Sequence, residues 1–203
     1  MQTLAQMMLY AVLAVTSENL IFTGGIGFSR VLRAARRPKT AITYSGLVCG
    51  FTLASAALGI WFGRTVPAAA RPVLFACGTA AVYLAAVYLA AAFVWRTWWP
   101  KFYKRVEPFL SSSAINSVVL SMPFLRRVFF LGPWQMIGYA LGTGAAFLFA
   151  SAALSQAMGR MRNPDMPQAF QGLPAVFLYV GILSLAFFGF TGGRQRQEPD
   201  IEE

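Results

Sequence analysis

The sequence predicts an all-α integral membrane protein: six transmembrane helices in two inverted three-helix repeats, with the first and fourth helices broken near the bilayer midplane. Three observations predict it. The 203 residues are 57% hydrophobic and only 12% charged, whereas soluble domains run about 45–50% apolar and about 25% charged. The apolar residues fall in six runs bounded by Arg, Lys, Pro and Gly clusters, and most runs exceed the roughly 20 residues that cross a ~30 Å hydrocarbon core. An octapeptide in the second run returns in the fifth. With a mean hydropathy of +0.57, a globule of this size has too few charges to cover its surface. That excludes a cytosolic enzyme, a disordered chain and a disulfide-stapled secreted domain.

The six runs cover residues 4–26, 41–63, 72–95, 108–125, 134–157 and 173–191. They make one membrane domain, 1–193, followed by a polar tail, 194–203. No Lys or Arg precedes the first run, and the run continues too far for a cleaved signal peptide. Charge placement orients the chain. Arg30, Arg33, Arg36, Arg37 and Lys39 follow the first run, Arg96, Lys101, Lys104 and Arg105 the third, and Arg160 and Arg162 the fifth. The other face carries only Arg64, Arg71, Arg126, Arg127, Arg194 and Arg196, with the acids of the tail. The positive-inside rule then puts both termini outside. The formal charge of +10 is on this reading a topology signal, with anionic lipid as its partner, and not a nucleic-acid footprint. Trp95, Trp98 and Trp99 beside Arg96 and Lys101 form an interfacial aromatic belt.

The repeated octapeptide is Phe51-Thr-Leu-Ala-Ser-Ala-Ala-Leu58 and Phe147-Leu-Phe-Ala-Ser-Ala-Ala-Leu154. Both spans also carry a GxxxG, Gly46/Gly50 and Gly138/Gly142, a pattern that lets helix backbones approach closely. Two repeats of three spans, about 1–97 and 98–193, must be inverted relative to each other because three is odd. Each repeat opens on a span interrupted by polar residues: Thr16-Ser-Glu-Asn19 with Gly24-Gly25, and Ser111 to Ser117. Broken helices in inverted repeats build sites at the midplane, since polar groups at that depth must be buried in protein or line a wet cavity. Glu18, Asn19, Asn116 and Ser117 are the candidate polar seam; hydrogen bonding between neighbouring helices is the other reading of the same residues. A carboxylate such as Glu18 inside the membrane is costly, and it reads equally as a functional group or as a side chain that is either protonated or capping the half-helix after the break.

His is absent, which removes imidazole ligands and an imidazole base. Cys49 and Cys77 lie in apolar runs outside any metal-spaced motif. No GxGxxG occurs at a strand–helix junction; Gly24-Gly25-Ile26-Gly27 is too short and sits in an apolar segment.

Three stretches carry a resemblance. Asp165-Met-Pro-Gln-Ala-Phe-Gln-Gly172 followed by Gly181-Ile-Leu-Ser-Leu-Ala-Phe-Phe-Gly-Phe-Thr-Gly192 resembles D-V-P-x-P-F-x-G and G-L-x-S-L-A-F-x-G-F-x-G. The second runs from Arg96 through Pro100, Tyr103, Phe109 and Leu110 to Asn116, and the third from Asn19 through Gly27 to Thr40-Ala41. On these residues the chain resembles the membrane subunits of the Rnf and Na+-translocating Nqr redox complexes, the RnfA/RnfE and NqrD/NqrE family, over nearly its whole length. The resemblance implies six spans in two inverted halves, a bacterial or archaeal cell membrane, and an electron relay coupled to ion translocation. Outside termini fit the RnfA/NqrE branch. It also implies pairing with a second family member, each of the two giving two cysteines to a shared two-iron two-sulfur cluster.

Here the chain departs from the family. The cysteine positions of the G-L-C and T-N-C motifs read Gly27-Phe28-Ser29 and Asn116-Ser117-Val118, so both ligand positions, Ser29 and Ser117, are hydroxyls. Iron–sulfur clusters are held by soft thiolates, and a serine oxygen is a hard donor. Cys49 and Cys77 match the ligand count but sit ~10 Å apart in depth, at ~1.5 Å per residue; small packing residues describe them better. Ala92 stands where the RnfA branch has an acidic residue, and Glu18 where the family has Asn. The expectation is a non-catalytic, cluster-free membrane subunit of an Rnf/Nqr-type electron-transport complex, structural or ion-path in role. Catalysis would belong to flavin- and nicotinamide-binding partner subunits. A stand-alone inverted-repeat transporter and a membrane assembly scaffold are the alternatives.

Overall fold

The computed structural model describes residues 2–16, 19–65, 73–128, 131–161, 167 and 171–190. Glu18, the tail 194–203 and most of the Asp165–Gly172 stretch therefore lie outside the described residues. Among the described residues the chain is all-helical: α1 (Gln2–Val15), α2 (Phe28–Ala35), α3 (Pro38–Thr65), α4 (Val73–Trp98), α5 (Pro100–Ala114), α6 (Ser117–Val128), α7 (Pro133–Arg160) and α8 (Leu173–Phe190). Three stretches are long and apolar enough to cross a membrane: Thr40–Trp61, Gly78–Trp98 and Pro133–Arg160. The pair Pro100–Ala114 and Ser117–Leu125, bent by 50°, makes a fourth if it is one span. Gln2–Val15 and Leu173–Gly189 are apolar and shorter.

The two long helices α3 and α7 form the centre. Of their apolar windows 56% and 61% are buried, against 11% for α4, which faces outward. α3 and α7 pack on each other; α1 and α2 lie on α7, while α5 and α6 lie on α3. α4 covers α3 and α5, and α8 rests on α7. In the repeated octapeptide the same stripe is buried in both copies. Phe51, Ser55 and Leu58 face the core of one, Phe147, Ser151 and Leu154 that of the other. The spacing i, i+4, i+7 is one face of a helix.

Small residues set how closely these helices approach. A Cβ on Gly144 would stand 2.6 Å from Cys49 Cβ, so α3 and α7 touch there through a glycine and a thiol-bearing carbon. A Cβ on Gly59 would meet Pro123 Cα at 3.1 Å, where α3 crosses α6. The α7 pair Gly138/Gly142 seats α1: added Cβ atoms would lie 2.8 Å from Met7 Cα and Ala11 Cα and would overlap the carbonyl oxygens of both residues. The α3 pair Gly46/Gly50 behaves otherwise. Both glycines are exposed, with nothing within 4 Å of an added Cβ, so this GxxxG brings no backbone close.

Buried hydroxyls fasten the centre. Ser55 Oγ donates to Val119 O across to α6 at 2.6 Å, and Thr52 Oγ1 donates to Cys49 O at 2.8 Å and to Ala140 O on α7 at 3.3 Å. Inside a membrane protein such bonds have no water to replace them. Ser55→Ala should therefore cost about 1 kcal/mol, read as a fall in melting temperature in detergent; no change would mean that the Val119 carbonyl finds another donor.

Three boundaries differ from the sequence reading. The first helix ends at Val15, and residues Arg30 and Arg33, read there as loop, belong to α2. α5 begins at Pro100 instead of near 108. Proline at the first helical position is pre-organised and loses no helical donor, so Lys101, Lys104 and Arg105 are helical too. The second break is narrower than Ser111–Ser117. Helix α5 continues through Ala114, and Ser113 Oγ is bonded back to Leu110 O at 2.9 Å, inside its own helix.

Candidate functional site

The first break is built around Asn19, which is fully buried. Its Nδ2 donates to Val15 O at 2.9 Å, closing the end of α1. Its Oδ1 accepts from Ile21 N at 3.0 Å and Phe22 N at 3.3 Å. Thr23 Oγ1 donates to Asn19 O, and Ile26 N to Leu20 O at 2.9 Å. One amide thus supplies the partners that the interrupted helix loses. Gly25 (φ 64°) and Gly27 (φ 79°) turn the chain into α2, in a left-handed conformation that L side chains adopt only at a cost.

The second break is built around Asn116, also fully buried. Its Oδ1 accepts from Val118 N at 3.3 Å, two residues on, as Asn19 does from Ile21. Its Nδ2 is buried without a hydrogen-bond partner. The two breaks meet here. A Cβ on Gly27 would stand 3.2 Å from Asn116 Oδ1 and would overlap Val118 Cγ2. Ser29 lies in the first turn of α2 and Ser117 opens α6, so the serines flank one seam, and both are exposed.

Arg30 ties the seam together, and the sequence reading did not find it. Its Nη1 donates to Ser112 Oγ at 2.6 Å and its Nη2 to Ile115 O at 3.3 Å. Tyr44 OH, from α3, donates to Ser112 O at 3.0 Å. The guanidinium therefore sits on the last turn of α5, where carbonyls lack partners and the helix dipole favours a cation. Read along the chain, Arg30 is one more basic residue after an apolar run; nothing in the spacing pairs position 30 with 112. Arg30→Ala should lower stability by about 2 kcal/mol, the scale of charge-assisted bonds. Arg30→Lys should restore only part of it, because an ammonium cannot reach both acceptors as a fork does. A melting series of the two variants checks this.

Of the predicted seam, Asn19 and Asn116 are buried at the breaks and Ser117 is exposed at the α6 start. Glu18 lies outside the described residues. Cys49 sits in the α3–α7 contact against Gly144. Cys77 lies on α4, and its side chain is outside the described residues. Ala92 is partly buried on α4.

Among the described residues, three membrane-length helices and a bent pair, with two breaks meeting at a buried asparagine, mark an all-helical, multi-pass membrane protein. The model of the Rnf-Nqr subunit family, described as membrane proteins, matches residues 7–193, and the chain belongs to this family. The A-type component of the proton-translocating ferredoxin:NAD(+) oxidoreductase complex of Clostridium ljungdahlii is 31% identical over 93 residues, 46% of this chain and 48% of the relative. The A-type component of the ion-translocating oxidoreductase complex of Tolumonas auensis is 29% identical over 93 residues, 46% of this chain and 48% of the relative. The E-type component of the Na(+)-translocating NADH-quinone reductase of Stutzerimonas stutzeri is 27% identical over 95 residues, 46% of each chain. The matched part spans about half the length of these curated relatives.

The residues at the seam do not fit the two-iron two-sulfur cluster that the resemblance implies. The two ligand positions offer exposed hydroxyl oxygens, Ser29 and Ser117, where thiolates are needed. The Cys49 side chain packs in the α3–α7 contact against Gly144.

Proposed function

We propose that this chain is a membrane subunit of a multi-subunit, redox-driven ion-translocating complex of the Rnf/Nqr type, structural in role and holding no cluster ligand of its own. The observation that carries the reading is the family match across residues 7–193 joined to serine at both ligand positions. The relatives' names supply the complex: ferredoxin:NAD(+) oxidoreductase in one and NADH-quinone reductase in another, each translocating an ion. The seam supplies the role. A hydrogen-bonded guanidinium stands where the breaks meet. A fixed positive charge beside the breaks opposes the passage of a second cation, which favours a structural part over an ion path.

We also infer six spans in two inverted halves, with both termini outside. The exchange of contacts supports it: the broken pair α1–α2 lies on α7 and the broken pair α5–α6 on α3. So do the matched asparagines, each accepting from the backbone two residues on. The partner is a second membrane protein of the same family, docked over the seam where Ser29 and Ser117 are exposed.

The test is isolation of the tagged chain from native membranes without oxygen. Flavin- and nicotinamide-binding subunits should copurify, and any iron signal should survive Ser29→Ala and Ser117→Ala. A two-iron spectrum abolished by either substitution would overturn the cluster-free reading. A chain recovered without redox subunits, and concentrating a solute in liposomes alone, would instead be a transporter.

A further inference from the structure

We propose that the chain binds one anionic phospholipid, with an acyl chain lying in a groove over α3 and the phosphate held at the Lys101 end. The groove has a volume of about 550 Å³ and runs along α3 from Ile42 to Phe51, about 13 Å at ~1.5 Å per residue. Its floor is Gly46 and Gly50, its walls are Val87 and Ala91 of α4 and Val106 of α5, and Thr43 adds a hydroxyl to the lining. The equivalent pair on α7, Gly138 and Gly142, is filled by the backbone of α1. The α3 pair has nothing within 4 Å of an added Cβ and is open.

The occupant is set by the apolar lining, which suits a hydrocarbon chain, and by the charge at one end. One end is bounded by Trp95 and Phe102, packed edge to face at 5.4 Å. Beside them in the chain stand Arg96 and Lys101, both exposed, followed by Lys104 and Arg105, with Glu107 the one acidic residue of α5. Exposed Trp98 and Trp99 mark the same level as the headgroup region. Net positive charge at that level recognises a phosphate without a compensating amine, and each basic side chain there is worth roughly fivefold in binding.

The experiment takes the full-length chain into mild detergent and then into contact with phosphatidylglycerol or phosphatidylcholine, with retained lipid counted by mass spectrometry after washing. About one phosphatidylglycerol per chain should remain, with phosphatidylcholine retained at least tenfold less. Gly50→Leu fills the groove from a position with open space around it, so the chain should fold normally and retention should fall at least tenfold. Arg96→Gln with Lys101→Gln should lower phosphatidylglycerol retention about 30-fold and leave phosphatidylcholine unchanged. Equal retention of both lipids, or retention unaffected by Gly50→Leu, would overturn the proposal. So would an isoprenoid quinone or a partner helix found in the groove. None of these outcomes depends on whether redox subunits copurify, so this inference and the proposed role in the complex fail separately.

Discussion

Gly142→Leu should dislodge α1 from α7 and lower stability by about 3 kcal/mol, the top of the overpacking range. An added Cβ already overlaps Ala11 O, and the obstacle is main chain, which cannot rotate away. For a chain of this size the loss corresponds to a fall in melting temperature of roughly 6–12 °C. Gly46→Leu is the control: the same substitution in the same motif on α3 meets open space and should leave the melting temperature unchanged or slightly higher, since Leu favours helix over Gly. Thermal unfolding of both variants in one detergent reads the difference. Equal behaviour would mean that the two glycine pairs are used alike and that α1 is not seated as described.

Gly27→Ala should cost a similar amount, about 3 kcal/mol, from two separable sources. The left-handed backbone at φ 79° penalises any L side chain by about 1–2 kcal/mol. The methyl also overlaps Val118 Cγ2 of the second break, adding about 1–3 kcal/mol. Val118→Ala removes only the second source. The double variant should therefore lose about 1–2 kcal/mol less than the two single losses added together, the signature of residues in contact. Strict additivity would show that the two breaks do not meet. Because this contact joins α2 to α6, it is the most direct test of the seam on which the proposed docking of a second family member rests.

The membrane class was legible from composition, because lipid imposes one requirement on every span: apolar side chains and internally bonded backbone. Both breaks were legible as well, for Asn19 and Asn116 are amides in otherwise apolar runs, and glycines follow the first. Their extents were not. Ser111, Ser112 and Ser113 look like a break in sequence, yet a serine hydroxyl can bond to its own helix, as Ser113 does to Leu110. The start of α5 was missed for a related reason: Lys101, Lys104 and Arg105 signal an interface, and charge says nothing about whether the backbone at that interface is helical.

The two GxxxG motifs show where local pattern stops. Gly46/Gly50 and Gly138/Gly142 have the same spacing, and α7 uses its pair to hold α1 while α3 leaves its pair open to a groove. Arg30 makes the same point. Its partners, Ser112 and Ile115, lie 82 and 85 residues away.

By itself, then, the chain's order of residues determined that it is helical, that it belongs in a membrane and that its helices are interrupted near Asn19 and Asn116. These are properties of single segments, set by side-chain chemistry and backbone satisfaction within a few residues. Only the tertiary structure decided which glycine pair is a seat and which a groove, and that Arg30 closes the seam. Those depend on which face each helix turns to a neighbour from the other half, a matter of packing between segments far apart in the chain.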